Sequence, residues 1–184
     1  VFMQVGGFYA QELPDDTGMG WLVDAESRYR LAEGAGSELR AEFLYTSNDN
    51  PDIEGYGGVL TGNSYGIAGA NWATHGSMLL FPDIKAINRQ ISVVSDVSNG
   101  GEGLLAVCAN AGYDFVPNRL GTTVGIATAS DGTGNGLGTE INARFRYQPL
   151  PLLEVSAAGA LVSGTDLPMN PWTVLLMLDW VVFE

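Results

Sequence analysis

The chain has 184 residues, a net charge of −13 and 25 glycines, and 46% of it is hydrophobic. Only eight residues are basic, which argues against nucleic acid as a partner. No apolar run approaches the roughly 18–20 residues of a membrane helix, and the lone Cys108 excludes an internal disulfide framework.

In chain order, about ten strand candidates follow from period-two patterning within one domain, 1–184. The first, 2–12, sets Met3, Val5, Gly7 and Tyr9 on one face and ends at the loop Pro14–Gly18. A chain that starts inside a strand reads as a mature form or a fragment. The second, 21–31, places Val23, Ala25, Ser27, Tyr29 and Leu31 opposite Asp24, Glu26, Arg28 and Arg30. After a turn at 32–37, the third, 38–46, places Leu39, Ala41, Phe43 and Tyr45 opposite Arg40, Glu42 and Thr46. The loop Asn48–Asp52 ends it. A glycine-rich fourth candidate covers 57–72, and 73–86 reads as a short helix, an inward-folded loop or an interfacial turn. Strand candidates 87–97, 103–114, 120–129, 138–148, 151–163 and 171–183 complete the set.

The strongest alternation runs from Ile141 to Tyr147, with Ile141, Ala143, Phe145 and Tyr147 on one face and Asn142, Arg144 and Arg146 on the other. Two unlike faces mean a β-strand between two unlike environments. Strands of about ten residues whose polar faces mix arginine with glutamate suit an antiparallel transmembrane β-barrel, apolar side chains toward lipid and charged ones toward a wet lumen. An even strand number places both chain ends on one side. The aromatics then sort into two levels. Tyr29, Tyr113, Tyr147, Trp180 and Phe183 fall at the ends served by the short turns 32–37, 115–119 and 148–151, and Trp21, Tyr45 and Trp172 fall at the other. Two such girdles suit the two interfaces of an outer membrane. The acidic loops suit divalent ions that bridge lipopolysaccharide.

The charged inward positions are Asp24, Glu26, Arg28, Arg30, Arg40, Glu42, Glu140, Arg144, Arg146, Glu154 and Asp179. Of these, Arg28, Arg30, Arg40, Glu42, Glu140, Arg144, Arg146 and Glu154 are the pore-lining candidates. Hairpin geometry sets Arg146 opposite Glu154, and Arg28 opposite either Arg40 or Glu42. Such charges either pair and fill a narrow interior or line a passage for anionic and polar solutes. Ala106, Cys108, Gly112, Gly121, Thr123, Gly125 and Ala127 are small inward residues, leaving room for water or for an inward-folded segment such as 73–86.

Catalysis finds little support. The one histidine, His75, lies beside Ser77 on one segment, a poor arrangement for a nucleophile and its base, and no Gly-x-Ser-x-Gly is present. One histidine and one cysteine make a metal or haem site improbable, so no cofactor is expected.

Gly138-Thr-Glu-Ile141, the turn from Tyr147 through Gln-Pro-Leu-Pro-Leu-Leu to Glu154, and the terminal Trp180-Val-Val-Phe183 resemble the C-terminal strands of Gram-negative outer-membrane porins, most closely alginate-export-like barrels. The resemblance covers mainly 87–183. It implies a channel for polar or anionic solutes with lumen arginines as selectivity residues, and insertion by the barrel-assembly machinery. Family members are usually larger, so it also implies a barrel of which this chain is the C-terminal part. Glu184 after the terminal phenylalanine and Asp179 before it depart from the family's assembly signal. Besides the porin, two alternatives stand: a plugged barrel scaffolding a partner such as a cytochrome or surface lipoprotein, and a soluble acidic β-protein. A homo-oligomer fits either barrel.

Overall fold

The computed structural model describes residues 2–8, 11–12, 17–18, 20–31, 37–49, 76–81, 93–94, 99–164 and 169–180. These residues are all-β, with one 3-10 turn at Asn99–Gly101 and no α-helix among them. The strands are β1 (Phe2–Phe8), β2 (Gln11–Glu12), β3 (Thr17–Gly18), β4 (Leu22–Arg30), β5 (Glu38–Thr46), β6 (Leu104–Val116), β7 (Leu120–Asp131), β8 (Gly136–Leu150), β9 (Leu153–Ser163) and β10 (Trp172–Trp180).

Eight of them form one antiparallel meander in the order β1-β4-β5-β6-β7-β8-β9-β10, and β2 and β3 form a separate two-residue ribbon. Each neighbour in the meander follows its predecessor directly or after an excursion, so every pair is antiparallel. β1 and β10 are the two edges, and no ladder joins them among the described residues.

The connections separate by side. One end of the sheet carries the tight links 31–37, 117–119 and 151–152. Asn118 takes a left-handed φ of 58° in the second of these, a conformation that asparagine tolerates well. The other end carries 9–21, 47–103, 132–135 and 164–171. Backbone bonds tie this second end together: Ser47 N–H donates to Trp21 C=O at 2.8 Å, and Gly132 N–H to Glu102 C=O at 3.0 Å.

Several expectations are corrected here. Among the described residues the sheet holds eight strands rather than about ten, because β5 pairs directly with β6 from Thr46↔Leu104 to Leu39↔Ala111. No wall strand therefore fits between them. The candidate 57–72 lies outside the described residues, as does 87–97 except for Val93 and Val94. Those two are not in the sheet; their N–H groups donate to the carbonyls of Leu79 and Leu80 at 2.9 Å each. Period-two alternation reports an extended chain between unlike surroundings, and a segment folded against the sheet meets that condition too. The first candidate, 2–12, splits into β1 and one arm of the ribbon.

The burial pattern alternates along much of the wall, most regularly on β5. On β5, Glu42, Leu44 and Thr46 are buried, whereas Leu39, Ala41, Phe43 and Tyr45 are exposed. The inner face of β6–β9 packs Leu104, Ala106, Cys108, Ala127, Ala129, Ala158, Ala160 and Val162 into one apolar cluster with Leu44, Val94 and residues 78–81. Leu22 of β4 and Leu175 and Met177 of β10 pack against its margin. Each large aliphatic side chain withdrawn from water here contributes roughly 1.5–3 kcal/mol.

Candidate functional site

Glu140 sits mid-strand on β8, on the inner face, with no solvent exposure. Its register partners are Ala127 on β7 and Val162 on β9, which are too small or too apolar to satisfy a carboxylate. The donors come instead from the segment 76–81, which lies against the inner face. One oxygen of Glu140 accepts the Ser77 hydroxyl at 2.7 Å and the N–H groups of Leu79 and Leu80 at 2.8 and 2.6 Å. The other accepts Met78 N–H at 2.8 Å and Asn142 Nδ2 at 2.7 Å.

Taking a carboxylate out of water costs several kcal/mol unless its lone pairs are filled. Five donors fill them here, and consecutive backbone N–H groups converging on one anion form a nest. Ser77 closes the turn, since its oxygen accepts Phe81 N–H at 2.9 Å. Asn142, two residues along the same face, adds a second anchor by donating to Gly76 C=O at 2.8 Å. Met78, Leu79, Leu80 and Phe81 then fill the space above the alanines, all at most 8% exposed. The small inward residues thus make room for a piece of the chain itself.

Toward the short-link end, the inner face becomes charged. Arg28 stands opposite Arg40; Arg28 reaches an acid on its own strand, and Arg40 reaches acids on its own strand and on β4. Arg28 bonds Glu26; Arg40 lies 3.3 Å from Glu26, 3.2 Å from Glu38 and 3.9 Å from buried Glu42. Further along, Arg146 Nη2 donates to Asp114 Oδ1 at 2.8 Å. Arg144 faces inward, half-buried, between Thr123 and Ala158. Arg30 is exposed at the end of β4, opposite Glu38.

The eight inward charged candidates therefore divide. Arg28, Arg40 and Glu42 join one network with Glu26 and Glu38, whereas Glu140 is sealed under segment 76–81 rather than lining a passage. The expected Arg146–Glu154 opposition is corrected: Arg146 stands opposite Ser156, and Glu154 stands opposite Asp179. A register irregularity between Tyr147 and Leu150 displaces the β8–β9 pairing from simple hairpin geometry. Sequence reading missed Asp114 as the partner of Arg146, and it missed Ser77 and the backbone of 78–80 as the partners of Glu140. The only signal for the latter was the run Met78–Phe81 following Gly76-Ser77 inside a polar excursion. His75 lies outside the described residues.

At the long-connection end, the β7–β8 turn is organised by Asp131. One oxygen accepts the Thr133 N–H at 2.9 Å, its hydroxyl at 2.7 Å and the Asn135 N–H at 2.8 Å; the other accepts Asn135 Nδ2 at 2.9 Å. The Thr133 hydroxyl, then the Asn135 side chain, hold this carboxyl well below the usual range, at about 2.

The outer face has a different chemistry. Along β4–β10 its positions carry no Asp, Glu, Lys or Arg; they hold Val23, Phe43, Val107, Val124, Ile126, Ile141, Phe145, Val155, Leu161, Val174, Leu176 and their neighbours. Leu176 is 83% exposed. Tyr29, Tyr113, Tyr147 and Trp180 are exposed near the short-link ends, and Trp21, Tyr45 and Trp172 near the opposite ends. Phe183 lies outside the described residues. No family model, curated protein or solved structure matches this chain.

Proposed function

We propose that the chain is an outer-membrane β-barrel, closed by β1 against β10, whose interior is plugged at rest by its own segment 76–81. The observation that carries this reading is the charge-free, solvent-exposed outer face running across seven consecutive strands. A charge-free, largely apolar surface of that extent is poorly suited to water, where monomers rarely expose apolar patches beyond a few hundred Å². Against lipid the same surface is stabilising, and aromatic rings at both margins suit the interfaces. The strands of the meander from β4 onward run from 9 to 15 residues, and about 9–11 suffice to cross a bilayer.

Strand parity supports closure. With eight strands in an antiparallel meander, β1 and β10 run in opposite directions, so their free backbone groups are suited to pair. Lipid tolerates no open edge. An eight-stranded barrel has an interior just wide enough to be filled by side chains. Here the inward residues of β6, β7 and β9 are mostly small, and the buried turn at 76–81 occupies the difference. The pairing of Arg28, Arg40 and Arg146 with acids supports the plugged reading over a permanently open, arginine-lined porin.

Planar-bilayer recording of the purified, folded and inserted protein tests this. The wild type is expected to be silent. Stable anion-selective steps would restore the open porin, and release from membranes by carbonate without detergent would establish a soluble β-protein instead.

A further inference from the structure

We propose that Glu140 and the 77–80 nest form a carboxylate-specific latch whose release swings segment 76–81 off the wall and uncovers the interior. This rests on the plugged-barrel reading and supplies its regulation. Among the described residues, the polar anchoring of the segment to the wall comes from two side chains, Glu140 and Asn142, on one face of one strand. Four of the five donors on Glu140 belong to the segment itself; the fifth is Asn142 of the same strand. Among the described residues, the segment otherwise meets the wall through apolar packing, which has no directional lock, and its remaining backbone bonds run to Val93 and Val94 rather than to the wall. The directional attachment to the wall is thus centred on one anion entering one nest, and a nest selects for anionic oxygens that can take several N–H donors at once. Without the Glu140 carboxylate the nest is an unfilled anion site of carboxylate size, and a small carboxylate from solution fits the vacated position.

Cys108 is a built-in reporter. It is buried on the inner face beside Gly76, where even a Cβ on that glycine would stand 2.8 Å from the cysteine Cβ. Lifting the segment uncovers this thiol, and it is the chain's only cysteine.

The test is Cys108 labelling by a water-soluble maleimide, with bilayer recording in parallel, on wild type, Glu140→Ala and Leu80→Lys. Leu80→Lys expels the segment by placing a charge at a fully buried site and leaves Glu140 intact. Glu140→Ala is expected to label at least about tenfold faster than wild type, since each bond lost was to a charged group. Sodium formate, but not sodium chloride at equal ionic strength, is expected to restore protection in Glu140→Ala and to leave Leu80→Lys labelled. Wild-type-like protection in Glu140→Ala while Leu80→Lys labels quickly would overturn the latch. Labelling that formate does not reverse reports unfolding rather than release, and overturns it equally. Reversible labelling in inserted protein that never conducts, even with the segment released, would keep the latch and overturn the reading that segment 76–81 plugs a passage.

Discussion

Asp114 on β6 and Arg146 on β8 are two strands apart, and their side chains meet at 2.8 Å over Gly121 of the strand between them. Two inward positions along the strand, Asn110 and Asn142 likewise flank Gly125. A Cβ at Gly121 would collide with the Asp114 carboxylate, and one at Gly125 with the Asn110 and Asn142 side chains. β7 is thus low at these two glycines, and the Asp114–Arg146 contact runs across it at the first.

Valine at position 121 is expected to force that ion pair apart and to overpack the inner face, lowering stability by about 1–3 kcal/mol. Gly159→Ala is the control. Position 159 faces outward, and an added Cβ first meets the Thr173 carbonyl at 3.4 Å, an ordinary contact. Its effect should stay within about 0.5 kcal/mol. Urea midpoints of the two variants in detergent micelles decide it; equal midpoints would mean that the close approach over β7 is not what holds the pair.

The coupling itself is measurable. Asp114 is almost fully buried and Arg146 about a quarter exposed, so solvent screens one partner and the pair is weaker than a fully sealed one. A double-mutant cycle with Asp114→Asn and Arg146→Met should return a coupling of about 0.5–2 kcal/mol. The parallel cycle with Glu154→Gln and Arg146→Met should return nothing measurable, because Glu154 stands opposite Asp179.

What the chain disclosed in advance was the two-faced wall. Ile141 to Tyr147 alternate so cleanly that the inward Arg144 and outward Phe145 follow from period alone, and the aromatic levels follow from where each strand stops. Two things were hidden for physical reasons. Periodicity assigns a residue to a face without saying what covers that face, so Glu140 looked like a lumen charge although residues 63 to 60 positions earlier satisfy it. And cross-wall pairing depends on register, which the irregularity after Tyr147 displaces and which Gly121 extends to the second neighbour. The small residues of β7 were visible, and they marked the right place. Whether water or chain filled it was not written in their spacing.

The Asp131 turn predicts an acid-sensitive element. Its folded carboxyl titrates at about 2, below the ordinary value of about 3.9 for aspartate. A folded value depressed in this way adds stability that is fully present above the unfolded value and disappears as pH falls through the folded one. The midpoint difference between wild type and Asp131→Ala should therefore be constant from neutral pH to about 5, then shrink between about 4 and about 2. A difference that persists unchanged at pH 2 would mean that the Thr133 and Asn135 donors are not filled by an ionised carboxylate.

The outer face gives the most decisive substitution. Leu176 lies midway along β10, points outward opposite Ala157 and is more exposed than any other large hydrophobic side chain among the described residues. If that surface meets hydrocarbon, Leu176→Arg must bring a guanidinium to mid-bilayer depth, at a cost of about 2–4 kcal/mol. If it meets water, the arginine is an ordinary surface change within about 0.5 kcal/mol. Met169→Arg, an exposed position before β10, should be near neutral in either medium. Refolding midpoints in lipid vesicles discriminate, because the membrane reading requires the two variants to separate by more than about 1.5 kcal/mol, well outside surface scatter. Coincident midpoints would mean that the charge-free face is covered by protein rather than lipid. The exposed edge of β10 would then be the first place to look for what covers it.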